Sequence, residues 1–315
     1  MGRTPSLGQD RQRLSGLLLG LAVAALSGCS LLQRLPEPRP RVELRGAGAS
    51  FPAPLYQRWF THLMVREGLI LDYLAVGSEQ GERQLEAGLV DFAGTDVRPD
   101  HDAWMAIPMT AGAIAVAYNH PGCRLTLNRE QLLGIVSGAI TNFSQLGCRA
   151  RPIQLVVRSS GSGTTTNLLR YLQIPEQGWH HGSALLANSN DAMATLLAQR
   201  DGSIGYLETV FLTGRQRLQA AALANSAGNT VLPVPDQVHR ALRQWPDPQD
   251  GYPLVSPSWV LLPRTGLGQK APVLQAALRY GLSAEGQKQV KTLGYSPLPQ
   301  RLQTEARALI EEIRP

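Results

Sequence analysis

The chain has 315 residues, 43% of them hydrophobic, with 31 glycines and 22 prolines, a length and composition that suit a loop-rich α/β protein with two lobes. Its formal charge of +6 is mild and diffuse, and with no basic run interleaved with aromatics it argues against a nucleic-acid partner. Three cysteines without a C-x-x-C, and His180-His181 as an adjacent pair that would not share a helix face, argue against a metal site.

Residues 1–28 stand apart. Arg3, Arg11 and Arg13 form a basic start, Leu17 to Leu26 an apolar run too short to span a bilayer as a permanent helix, and small residues follow before Cys29. This is the pattern of a secretory signal, and Leu26-Ser27-Gly28-Cys29 resembles a bacterial lipobox, which implies cleavage before Cys29 and lipid on that residue. The alternative is a signal cut elsewhere with Cys29 incidental. Residues 29–41, with three prolines, read as an extended tether. Export leaves Cys123 and Cys148 as an even pair in an oxidising compartment, so a disulfide is expected, against the alternative of two small buried hydrophobes.

Folding should begin near Val42. A short strand, Val42 to Leu44, leads into GAGAS and then a helix whose entry suits Pro52 and Pro54 and whose apolar face is Leu55, Trp59 and Leu63 with Phe60 and Met64. The pattern repeats: Leu71 to Val76 is a strand, residues 77–81 a loop, and Glu82 to Glu86 the opening of a helix. A further strand, Val90 to Asp96, delivers Asp96 at its end, either as a site residue or as a loop-capping carboxylate.

The apolar run from Ala106 to Asn119 has no helical period and reads as a long buried strand passing between lobes; Ser258 to Arg264 is the return crossing. Between them come a helix start at Asn128 to Gly134, a short amphipathic piece (ITNFSQLG), a helix over Asp191 to Gln199, a strand over Ser203 to Glu208 and a helical segment at Gln237 to Leu242. Helices at Gln269 to Leu282, Ala284 to Leu293 and Leu302 to Ile313 end the chain. Strands alternating with helices predict α/β layering, with one lobe from 42–111 and 256–315, the other from 112–255, and a cleft between.

The most informative stretch is Leu155 to Leu172, LVVRSSGSGTTTNLLRYL: a strand, a loop without apolar side chains and a helix start. Unpaired N–H groups, the positive end of the helix dipole and the hydroxyls of Ser162, Thr164 and Thr165 meet there, and Arg158 adds a planar fork of donors. This is a socket for a tetrahedral anion; the plainer reading is a Gly/Ser-rich turn beside a surface arginine. No lysine follows Gly163, which excludes a nucleotide phosphate loop, and Ser160 and Thr164 stand where the hydrolase elbow G-x-S-x-G needs glycines around Ser162.

Taken together, GAGASFPAP (46–54), VGSEQGERQL (76–85), VDFAGTD (90–96), VVRSSGSGTT (156–165) and IGYLE (204–208) resemble the periplasmic phosphate-binding proteins of the phosphate-specific ABC transporter, in family order and across the whole mature chain. The resemblance implies a two-lobed type II binding-protein fold that closes on dehydrated phosphate, no cofactor, no catalytic residue, delivery to an ABC permease and a monomer held at a membrane by lipid. It assigns to phosphate the Ser50 hydroxyl, the N–H groups of Ser50 and Phe51, the Ser78 side chain and N–H, Asp96 as acceptor of a ligand proton, Arg158 as charge partner, and Ser162, Gly163 and Thr164 as loop donors.

Three departures bear on binding. Glu79-Gln80 stands where the family commonly has Ser-Gly, so Glu79 is expected to face solvent; Ser160 occupies the place of an aspartate that pairs with the arginine; and Arg98 stands close enough to compete for Asp96. Three other function classes stay open at this level. A receptor for sulfate or molybdate conflicts with a carboxylate at the ligand, which needs a ligand proton to accept. A phosphatase or serine hydrolase through Ser162 or Ser78 lacks a histidine near either serine in sequence. A sensor or adhesion module would keep the cleft and lose the donors.

Overall fold

The computed structural model describes residues 42–177, 179 and 182–315. The signal segment, the tether, Cys29 and the pair His180-His181 lie outside the described residues. Twelve strands alternate with nine α-helices among them: β1 Glu43–Gly48, α1 Ala53–Glu67, β2 Ile70–Ala75, α2 Ser78–Glu86, β3 Phe92–Thr95, β4 Trp104–Asn119, β5 Thr126–Leu127, α3 Arg129–Ser137, β6 Gln154–Arg158, α4 Gly163–Leu172, β7 Leu185–Ala187, α5 Asn190–Gln199, β8 Ser203–Glu208, β9 Gln219–Ala220, β10 Ala222–Ala224, β11 Thr230–Val231, α6 Pro235–Leu242, β12 Val255–Pro263, α7 Ala271–Gly281, α8 Ala284–Thr292 and α9 Gln300–Glu312.

One sheet runs β2-β1-β3-β12-β4-β8-β6-β7, with β9 beside β4. Its organiser is β4, 16 residues long and buried along almost its whole length, which is why its sequence is apolar without alternation. Residues 104–113 of β4 pair antiparallel with β12, and residues 114–119 pair antiparallel with β8. The strand therefore joins β1, β2 and β3, which are mutually parallel, to β6, β7 and β8. Both long apolar strands expected from the sequence, β4 and β12, lie side by side at that junction.

Local chemistry accounts for most boundaries. Pro54 suits the first turn of α1, and Gly68 closes it in the left-handed conformation. Leu55, Tyr56, Trp59 and Leu63 are buried, but Met64, expected on the same face, is 53% exposed, because it stands half a turn round the helix from Leu55. Asn128 and Gln131 form a reciprocal capping box at α3. The helix expected from Glu82 opens instead at Ser78: Gly77, at φ 97°, turns the chain out of β2 at once, so Ser78 becomes a helix-start residue. The short amphipathic piece after α3 is a single 3₁₀ turn, Phe143–Leu146, and residues 219–231 hold short strands that the sequence did not announce.

Cys123 and Cys148 form the expected disulfide, with Cα atoms 5.4 Å apart. It ties the segment after β4 to the turn before β6. Among the described residues no helix is long and apolar enough to cross a membrane.

Candidate anion-binding site

Three strand-to-helix turns, after β1, β2 and β6, meet beside the end of β3. The turn after β1 places Ser50 and Phe51, both buried, at the entry to α1. The turn after β2 places Ser78 at the start of α2, and Gly48 at the end of β1 accepts the N–H groups of Val76 and Gly77 at 2.9 Å, which binds the first two turns together. The turn after β6 carries Arg158 at the strand end and Ser162 at the cap of α4, where its Oγ accepts from Thr165 N.

These turns touch. Glu79 N donates to Gly161 O at 3.1 Å, and the Asp96 N–H donates to Ser78 Oγ at 3.4 Å. A Cβ on Gly163 would stand 2.5 Å from Ser78 Oγ and 3.1 Å from Asp96 Cβ, so only glycine lets the start of α4 approach this closely. Arg158 spans the cluster: Nη1 donates to Thr164 Oγ1 at 3.4 Å, and Nη2 to Ser50 Oγ at 3.4 Å and to Asn188 O at 3.3 Å. Ser50, Ser78, Asp96, Arg158, Gly163 and Thr164 thus converge on one buried point, with Ser162 capping the helix that reaches it. Phe51 serves by backbone and by filling space, its ring against Gly112 and Tyr295 and its carbonyl accepting from Tyr295 Oη at 2.8 Å.

Asp96 is held from the other side by β12. Ser256 and Ser258, two apart and so on one face of the strand, donate to the Asp96 carbonyl at 2.9 Å and to Asp96 Oδ1 at 2.9 Å. A register shift of β12 between Ser258 and Trp259 adjoins this contact. Asn167 of α4 adds a 2.7 Å bond to the same carbonyl. Burial pushes the Asp96 carboxyl up to about 7, against the opposing pull of the Ser258 hydroxyl and the Arg158 charge. Burial also lowers the Arg158 guanidinium from its ordinary value, although it stays a cation at any ordinary pH.

The three departures resolve differently. Glu79 is half exposed and pairs with Arg83 one turn on, at the solvent edge of the cluster, where its side chain lies against Gly161 of the turn after β6. Arg98 does not compete for Asp96: it pairs with Glu305 at 3.3 Å and lies over the Trp259 ring. Ser160 leaves Arg158 without an acid on its own loop, and no ion pair to Arg158 occurs among the described residues.

Sequence reasoning missed a layer behind these residues. Asn190, at the start of α5, donates through N and Nδ2 to Ser50 Oγ at 3.1 and 3.2 Å, and its Oδ1 accepts from the Glu208 N–H. Tyr206 Oη accepts from Arg158 N at 3.1 Å and lies 2.8 Å from Thr165 Oγ1. The IGYLE segment was visible as a strand carrying Tyr206 and Glu208 on one face, but nothing in its spacing said which face meets Arg158.

Comparisons with known proteins identify the family and the fold. A family model described as a PBP superfamily domain matches residues 35–285. The chain is similar to the phosphate-binding protein PstS of Xylella fastidiosa strain Temecula1, 27% identical with 83% of each chain covered. It is also similar to PstS of Haemophilus influenzae, 25% identical with 81% of this chain and 89% of that one covered. Among solved structures, an ABC-type phosphate transport receptor from Vibrio cholerae superposes with a TM-score of 0.63 at 22% identity, covering 82% of this chain and all of that one. A phosphate-binding protein from Stenotrophomonas maltophilia does so with a TM-score of 0.67 at 19% identity, covering 85% and 93%. The α/β fold is thus the type II binding-protein fold that the resemblance implied, and the chain belongs to the PBP superfamily.

Proposed function

We propose that this chain is an extracytoplasmic receptor that captures inorganic phosphate and delivers it to an ABC permease. The observation that carries the reading is the convergence, at one buried point, of a guanidinium, three hydroxyls, three strand-to-helix turns and a carboxyl that can accept a ligand proton. A fully desolvated tetrahedral anion with one proton is the ligand whose groups match all of them. Ser50, Phe51, Ser78, Asp96, Arg158, Ser162, Gly163 and Thr164 are its binding residues in this reading. Two lobes, 42–111 with 256–315 and 112–255, close on it about β4 and β12, where the pairing of β4 changes partner from β12 to β8. The chain acts as a monomer tethered through lipid on Cys29, on the outer side of a membrane.

Calorimetric titration of the purified protein with phosphate, arsenate and sulfate tests this. Phosphate and arsenate are expected to bind stoichiometrically. Arg158→Ala should weaken phosphate by about 10- to 150-fold, the equivalent of roughly 1.5 to 3 kcal/mol for a charge-assisted bond, with the fold intact. Tight binding of sulfate alone, or no loss in the arginine variant, would refute the proposal.

A further inference from the structure

Glu208 closes β8 with its side chain inside the molecule, fully buried, and neither carboxyl oxygen has a hydrogen-bond partner. Its backbone is fixed, because the Glu208 N–H donates to Asn190 Oδ1, and Asn190 in turn donates twice to Ser50 Oγ. The carboxyl itself lies beside the Thr164 hydroxyl, one of the proposed phosphate ligands, and within the field of Asp96 and Arg158. A Cβ on Gly112 of β4 would stand 3.6 Å from Glu208 Oε2, which locates the acid against the strand at the junction of the sheet.

The groups that face it come from every side. Asp96 at the end of β3 bears on it with like charge, while Arg158 at the end of β6 and the Thr164 hydroxyl of α4 favour its charged form. Tyr252, before β12, and Tyr295, after α8, also stand within its field and stay neutral. Among the described residues one buried side chain that is always a cation, Arg158, thus answers to two buried carboxyls before any ligand is counted.

A phosphate dianion arriving beside that single cation adds two negative charges to a site that already holds an excess of acid. Asp96 has a well-aligned donor in Ser258 and a role in taking the ligand's proton; Glu208 makes no well-aligned hydrogen bond, with only the Thr164 hydroxyl near it, and is the group less able to remain charged. We propose that Glu208 is a further residue of the phosphate site, a proton-binding balance for the anion's charge, so that capture of phosphate takes up one proton at this carboxyl. The inference rests on the phosphate-receptor reading above. Burial and the nearby Asp96 charge both hold the Glu208 carboxyl well above its ordinary value, which agrees with the geometry. The sign follows: the acid is neutral in the closed, dry cleft and ionises in an opened, hydrated one at neutral pH. Closure on phosphate then consumes a proton, and affinity falls as pH rises, by about tenfold per pH unit for one proton taken up.

Glu208→Gln keeps the size and cannot ionise. Phosphate titrations of the whole protein and of this variant, between pH 6 and 9 in buffers of different ionisation enthalpy, read affinity and proton uptake together. The expected result is that the parent takes up close to one proton more than the variant, and that its phosphate affinity falls by up to about tenfold more per pH unit. Phosphate's own ionisation is common to both and cancels in the comparison. Infrared difference spectra of the unmutated protein supply a second readout that needs no variant to fold: at pH 8, adding phosphate should produce the carbonyl band of a protonated carboxyl, and Asp96→Asn should retain it. Parallel pH profiles with equal proton uptake, or no such band, would overturn the role of Glu208 while leaving phosphate binding standing. A parent that binds no phosphate at all would remove both readings.

Discussion

At the scale of a residue, the proposed function makes Asp96 the gate that decides which anion is accepted, and its burial changes how that choice would depend on pH. A carboxylate accepts a proton that phosphate carries even as the dianion and that sulfate lacks, so an ionised Asp96 faces sulfate as one acceptor against another. With its carboxyl pushed up to about 7, Asp96 is protonated on the acid side and can then donate to sulfate as well. Discrimination should therefore be shallow below about pH 7 and grow by about tenfold per pH unit above it, because sulfate needs the protonated acid and phosphate does not. Asp96→Asn offers a donor at every pH, so its ratio of phosphate to sulfate affinity should be flat across the same range. Affinities for both anions at pH 6, 7, 8 and 9, parent against variant, check this; a parent ratio that does not rise above pH 7 would show that Asp96 is not the gate. Any contribution of Glu208 acts on both anions and drops out of the ratio.

At the scale of the element, the candidate site is built from junctions between a strand and a helix. Gly163, the first residue of α4, lets Ser78 Oγ and the Asp96 side chain come against the helix start, closer than any Cβ would permit. Gly163→Ala should spare α4, since alanine is the better helix former and the position is not left-handed, yet hold the turn after β6 away from α2 and β3. A loss of phosphate affinity of tenfold or more, with melting temperature within a few degrees of the parent, is the expected outcome; unchanged affinity would mean that the turns need not close this tightly. The same junctions were the legible part of the sequence. Short apolar runs ending in Gly/Ser/Thr segments give strand, turn and helix start from local rules, and the residues they deliver, Ser50, Ser78, Asp96 and Arg158, are brought together as expected. The layer behind them was not legible. Ser256, Ser258, Asn167, Asn190, Tyr206 and Glu208 act through contacts between elements far apart in the chain, and whether Ser258 meets Asp96 depends on the register of β12 against β3. Met64 and the early start of α2 failed for smaller reasons, the width of an apolar stripe and the turn at Gly77.

At the scale of the molecule, stability and binding are built in different places, and the disulfide allows the two to be separated. Cys123 and Cys148 close a loop with a sequence separation of 25, and the loop holds the capped helix α3 and the 3₁₀ turn that precede β6. Neither cysteine touches the anion cluster. Opening that loop enlarges the unfolded ensemble by about 3.5 kcal/mol on the chain-entropy account, which for a chain of this size corresponds to a fall in melting temperature of roughly 6 °C. The double variant Cys123→Ser with Cys148→Ser should therefore melt earlier by that order, while its phosphate affinity stays within about threefold of the parent, because Arg158 is positioned by Tyr206 of β8, Asn188 and the start of α4 and not by the bridged loop. Thermal unfolding and titration of the same samples measure both quantities. A parallel collapse of affinity would mean that order in the 123–148 segment is transmitted to β6, and that the binding cluster draws its geometry from the whole of the surrounding sheet.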